Sequence, residues 1–123
     1  KFRYVMFTIQ RIYGFQAAES VQAVLVDRLY PRGLSKAKMT NILWLKEVAP
    51  STELRRWYHV DPVGRFSEFS VRYLEELSGE QQRLGLARLR QFEEKSKVVL
   101  LTAVKDPQYS HVPVLIEALS GKN

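Results

Sequence analysis

Ala23-Val24-Leu25-Val26-Asp27 decides the fold of this chain. Four apolar residues follow one another without a break and stop abruptly at a carboxylate. An alternating pattern would mark a strand with one wet face, whereas an unbroken run marks a strand buried on both, as in a parallel sheet. Val98-Val99-Leu100-Leu101 repeats the pattern far downstream, inside a strand-like stretch Lys97–Val104 that stops at Lys105-Asp106-Pro107. The long segment between the two runs carries helical signals. Two such strands joined by a helical excursion should lie parallel, with a right-handed crossover.

Outward from these runs, Val5–Tyr13 is rich in aromatic and β-branched residues and reads as a further strand whose direction nothing in the sequence fixes. Gly14 and Gln16–Gln22 read as loop. Ser35 is placed to cap a helix reaching Ala49, with Ile42, Leu45, Val48 and Ala49 on one face and Pro50 ending it. Ser51 or Thr52 opens a short helix through Trp57 and Tyr58, which Asp61-Pro62 interrupts. In Val63–Leu77 the residues Phe66, Phe69, Tyr73, Leu74 and Leu77 recur at helical spacing. Ser78-Gly79-Glu80-Gln81 matches a capping box and opens a helix to Lys95. Ser110 reads as the cap of a last helix, Val112–Leu119, with Pro113 in its first turn. The expected product is a single α/β domain spanning residues 1–123, with a small, at least partly parallel sheet of about three strands flanked by about five helices.

Composition narrows the classes of function. With 123 residues the chain has material for one core. The absence of cysteine removes disulfides, thiolate metal sites and a thiol nucleophile, and suits a reducing compartment. No apolar run reaches the roughly 18–20 residues a membrane span needs. Lys1–Ile12 is interrupted by Arg3, Gln10 and Arg11 and does not read as a signal peptide, so the cytoplasm is the expected location. The net charge of +6 is uneven. Residues 1–38 hold seven Lys and Arg against Glu19 and Asp27, while residues 39–123 hold twelve against eleven. The basic character therefore sits near Asp27, and a local basic surface favours phosphates, carboxylates or nucleic acid.

In open α/β sheets, ligands gather where strands end and helices begin. One apolar run delivers Asp27, Arg28 and Arg32 to that edge; the other delivers Lys105, Asp106, Ser110 and His111. If the strands are parallel, both loops share one rim. Arg28 and Arg32 carry planar forks suited to an anion, Gly33 permits close backbone approach, and Lys36 adds charge. Ser110 stands at an amide-rich helix start. Asp27 is expected to orient an arginine, and His111, Asp106 or Asp27 to handle any proton. The plain alternative is a structural loop in which Asp27 neutralises an arginine.

His59, beside Trp57 and Tyr58, reads as partly buried packing, and the aromatic residues between Trp44 and Tyr73 read as core rather than a base-stacking platform. No metal-ligand spacing, glycine-rich phosphate loop, nucleophile elbow, helix-turn-helix or RNA-binding signature is present. The residues name no cofactor.

Val24-Leu25-Val26-Asp27-Arg28-Leu29-Tyr30-Pro31-Arg32-Gly33-Leu34-Ser35-Lys36, followed by Trp44-Leu45-Lys46-Glu47-Val48-Ala49-Pro50-Ser51, Leu54-Arg55-Arg56-Trp57 and Asp61-Pro62, resembles the YeaO-like branch of the family called domain of unknown function 488. The likeness covers about residues 22–119. It implies a small cytoplasmic prokaryotic α/β protein and supplies no activity. It places the family's polar pattern on Asp27, Arg28, Arg32, Lys36, Lys46, Arg55, Asp61 and Asp106. After the last strand, relatives carry His-Asn or Cys-His, where this chain has Tyr109-Ser110-His111-Val112. Ser110 thus stands beside the matching histidine in place of a cysteine, and chemistry needing that thiol is lost. Three functions remain open: a site, enzymatic or not, for a small phosphate- or carboxylate-bearing ligand; a nucleic-acid-binding or regulatory module using the basic N-terminal third; and a scaffold whose basic surface meets an acidic protein partner.

Overall fold

The computed structural model describes residues 7–121. Its strands are β1 (Phe7–Arg11), β2 (Val21–Leu25), β3 (Ile42–Trp44) and β4 (Lys97–Thr102). Its helices are α1 (Thr52–Val60), α2 (Pro62–Glu76), α3 (Glu80–Lys95) and α4 (Val112–Ser120). Three short 3-10 turns, Lys36–Met39, Lys46–Val48 and Pro107–Tyr109, join them. All pairings are parallel, in the order β1-β4-β2-β3. Ala23 pairs with Val99 and Leu25 with Leu101, so the two continuous apolar runs lie side by side in the middle of the sheet.

Their apolar continuity has a structural reason. Val24, Val26, Val98 and Leu100 face the helices and share a core with Leu54, Phe69, Tyr73, Leu89 and Leu115. Ala23, Leu25 and Leu101 point the other way, into a second cluster with Ile12. Among the described residues no α-helix covers that second face; Tyr13, Phe15 and Leu34 from loops and Met39 from a 3-10 turn pack there instead. A parallel sheet must be dry on both faces, and here folded loops complete one of them.

The structure corrects the expected helix from Ser35 to Ala49. Lys36–Met39 makes only a 3-10 turn, Asn41 takes a left-handed φ of 68°, and Ile42–Trp44 becomes β3 along the edge of β2. The run Ile42-Leu43-Trp44-Leu45 is apolar at every position, which suits alternation as well as helical spacing. Leu43 and Leu45 join the helix-side core, while Ile42 and Trp44 join the other cluster. Among the described residues the sheet therefore has four strands rather than about three, with four α-helices rather than about five. The first strand runs parallel to β4 and ends at Arg11 instead of Tyr13. Val5 and Met6, expected in that strand, lie outside the described residues.

The helix boundaries follow their caps. The Ser51 hydroxyl accepts the Leu54 amide at 3.1 Å and donates to Glu76 Oε2 at 2.6 Å, tying the start of α1 to the end of α2. Asp61 ends α1 and caps α2 through the Gly64 amide at 3.2 Å, with Pro62 in the first turn. The expected capping box at Ser78 does not form. Its hydroxyl donates back to the Glu75 carbonyl at 2.6 Å, and Gly79 occupies the cap position of α3. Ser110 accepts the Val112 amide at 3.1 Å, supporting the start of α4.

Candidate functional site

Since β2 and β4 are adjacent and parallel, their carboxyl ends open on the same edge of the sheet. Asp27, just past β2, reaches across to the other strand end. Its Oδ1 accepts the Thr102 hydroxyl at 2.7 Å and its Oδ2 accepts the Ala103 amide at 2.7 Å. His111, at the start of α4, places Nε2 2.9 Å from the Val26 carbonyl and 3.4 Å from Asp27 Oδ1. The expected pairing of Asp27 with an arginine is not what the structure shows. Thr102 and Ala103 take its oxygens because β4 and its continuation run directly alongside, and the start of α4 brings His111 to the same carboxylate.

This arrangement sets protonation. Burial alone would raise the Asp27 pKa, but the His111 contact, the Ala103 amide and the Thr102 hydroxyl together outweigh it and hold the carboxyl below its ordinary value. A carbonyl oxygen only accepts, so a neutral His111 must carry its proton on Nε2 to bond Val26. Nδ1 is then the ring's acceptor, and no hydrogen bond among the described residues engages it. The Tyr73 ring meets His111 edge-on, with centroids 6.0 Å apart. Burial pushes the Tyr73 phenol well above its usual range, keeping it a neutral donor to the Val48 carbonyl.

Arg28 is committed elsewhere. Its Nε donates to the Pro50 carbonyl at 3.1 Å and its Nη2 to the Ala49 carbonyl at 2.9 Å. It thereby fastens the loop after β2 to the segment leading into α1. Further bonds hold the same loop: Trp44 Nε1 to the Asp27 carbonyl at 2.6 Å, the Tyr13 hydroxyl to the Arg32 carbonyl at 2.7 Å, and the Tyr30 hydroxyl to the Ser35 carbonyl at 3.3 Å.

A cleft of about 660 Å³ opens on this edge. Asp27, Arg28, Arg32, Asp106, Ser110 and His111 line it together, as do Lys105 and Arg55. Gly33 and Lys36 do not. Gly33 takes a φ of +77° in an exposed turn, and Lys36 lies on the 3-10 turn that replaces the expected helix. Ser110 is buried, and its hydroxyl is used twice, donating to the Pro107 carbonyl at 2.6 Å and accepting from Val112. Three cations differ from Arg28. The side chains of Arg32, Arg55 and Lys105 make no hydrogen bond or ion pair among the described residues, and neither does that of Asp106. No group of three or more His, Asp or Glu side chains gathers closely enough among these residues to hold a metal ion.

Several lining residues escaped the reading of site residues from the sequence. Tyr13, Tyr58, His59 and Tyr109 all face the cleft, and His59 is exposed rather than packed. Arg55 was visible only through the family resemblance. The rotation of α1, which decides where Arg55 points, depends on the Ser51–Glu76 clasp, and no local pattern encodes that contact.

A family model described as the inactive DUF488-N3 subclade matches residues 6–122. An uncharacterized protein of Mycobacterium tuberculosis (strain H37Rv) is 41% identical over 114 residues, covering 93% of each chain. The uncharacterized protein YeaO of Escherichia coli (strain K12) is 34% identical over 110 residues, covering 89% of this chain and 93% of that protein. No solved structure matches. Among the described residues, no helix is long and apolar enough to cross a membrane.

Proposed function

We propose, since the chain belongs to the DUF488-N3 subclade described as inactive, that its cleft takes up a small phosphate- or carboxylate-bearing ligand and releases it unchanged. One observation carries this reading: Arg32, Arg55 and Lys105 line the cleft without a partner among the described residues. Cations in a partly closed, low-dielectric cleft attract an anion more strongly than the same groups on open surface. Arg32 and Arg55 supply bidentate forks, and Lys105 a point charge. Arg28 fixes the wall of the cleft. Asp27 holds two strand ends together through Thr102 and Ala103, and His111 ties the start of α4 to Val26.

Two of the groups that could do chemistry, Asp27 and Ser110, are engaged in holding the fold. Both Asp27 oxygens accept bonds from β4 and its continuation, and the Ser110 hydroxyl is tied to backbone on both sides. A nucleophile needs an adjacent base to activate it, and Ser110 donates to a carbonyl instead.

Isothermal titration at low ionic strength with inorganic phosphate, pyrophosphate and citrate tests the proposal. At least one should bind and be recovered chemically intact. Arg32→Ala and Arg55→Ala should each weaken binding by about tenfold or more, since a hydrogen bond to a charged group contributes about 1.5–3 kcal/mol. Arg32 is exposed, so its replacement should leave unfolding unchanged. Failure of every anion to bind, or conversion of any of them, overturns the reading.

A further inference from the structure

The cleft contains more apolar surface than an anion can use. Nine large apolar side chains are exposed among the described residues, and four of them, Leu29, Tyr30, Val104 and Tyr109, line this one cleft. Such a concentration beside a charged site marks a binding surface. The aromatic rings are partly fixed in advance. Tyr30 stands edge-on to Trp44 at 5.7 Å, and Tyr58 stacks on Phe69 at 4.2 Å. Tyr109 is different: it is 79% exposed, with no side-chain hydrogen bond or ring contact among the described residues. Its backbone is nevertheless held, because its amide donates to the Asp106 carbonyl at 2.9 Å.

Asp106 adds a third requirement. An unpaired carboxylate repels a bare phosphate, so its presence in the same cleft calls for hydrogen-bond donors on the ligand. An anion, a flat ring and hydroxyl or amino donors occur together in a nucleotide. We propose that the cleft recognises a nucleoside monophosphate, with its base against Tyr109 and Tyr30, its sugar hydroxyls or exocyclic amine toward Asp106, and its phosphate on Arg32, Arg55 and Lys105. This rests on the anion-binding reading above and adds the other half of the ligand. The volume of about 660 Å³ suits one such molecule. Stacking on an exposed tyrosine tolerates different bases, so affinity should depend weakly on base identity.

Titration of the intact protein with the four common nucleoside 5′-monophosphates, ribose 5-phosphate, inorganic phosphate and a ten-nucleotide single strand tests the assignment. The monophosphates should bind about tenfold more tightly than ribose 5-phosphate. Tyr109→Ala should erase that margin while leaving ribose 5-phosphate affinity and the circular dichroism spectrum unchanged, and Tyr109→Phe should retain it. Equal affinity for nucleotide and sugar phosphate would overturn the nucleotide assignment and leave the anion site standing. No binding by any compound would overturn both. A single strand that binds far more tightly than the monomers, with affinity falling steeply in salt, would replace the mononucleotide with nucleic acid.

Discussion

At the scale of single residues, Asp27 shows what a sequence conceals. A carboxylate closing an apolar run was recognisable as lying at the sheet edge where the cleft opens, but its partner was not. Charge-counting favours one of the neighbouring arginines, whereas the fold brings Thr102, Ala103 and His111 within reach from across the sheet. Arg28, freed from Asp27, turns to backbone carbonyls of Ala49 and Pro50. The consequence is a defined pH response. The Asp27 pKa is lower in the folded protein than in the unfolded chain, so the ionised form favours folding. That contribution is complete above the unfolded value of about 3.9 and disappears as pH falls through the depressed folded value. Asp27→Asn should lose about 2–3 kcal/mol at pH 7, because an amide cannot accept from two donors in the same way. Urea unfolding of both proteins at pH 7 and at pH 3 checks this. The gap should narrow at the lower pH; a constant gap refutes the ionic contribution.

At the scale of elements, α2, α3 and α4 were legible from their apolar spacing and the turn residues around them, although the capping box read at Ser78 does not form. The segment from Ser35 to Ala49 was not. Lys36-Ala37-Lys38-Met39 favours helix locally, and only pairing with β2 settles Ile42–Trp44 as a strand. Short apolar runs carry this ambiguity, and tertiary hydrogen bonds resolve it. Gly85 offers a second case. Nothing in the sequence explains a glycine in the middle of α3, where alanine would favour the helix by about 1 kcal/mol. In the structure a Cβ there would lie 2.6 Å from Val48 Cγ1 and 3.1 Å from Glu47 Cγ. Val48 is fully buried and cannot retreat. Overpacking of this kind costs about 1–3 kcal/mol. Gly85→Ala should therefore destabilise the protein by about 1 kcal/mol net, despite the gain in propensity. A rise in the thermal unfolding midpoint would show that α3 can shift away from the 3-10 turn at Lys46–Val48.

At the scale of the molecule, the reading of two parallel apolar strands sharing one rim predicted which loops meet. The order of strands within the sheet was beyond it, because order depends on which edges find each other rather than on any local pattern. That order places β4, the last strand in the chain, between β1 and β2. Among the described residues, β1 bonds only to β4, and β2 meets only the three-residue β3 until β4 arrives. Contacts of such long sequence separation slow folding, since loop-closure entropy is lost before the pairing rewards it. A fragment ending before Lys97 should show no cooperative unfolding transition and should be digested rapidly by a protease that spares the whole chain. A protected fragment would mean that α1–α3 form a core of their own. During translation, then, the amino-terminal strand waits at the ribosome without a mate until the closing segment emerges. A stalled or clipped product would present unzipped edges to its neighbours.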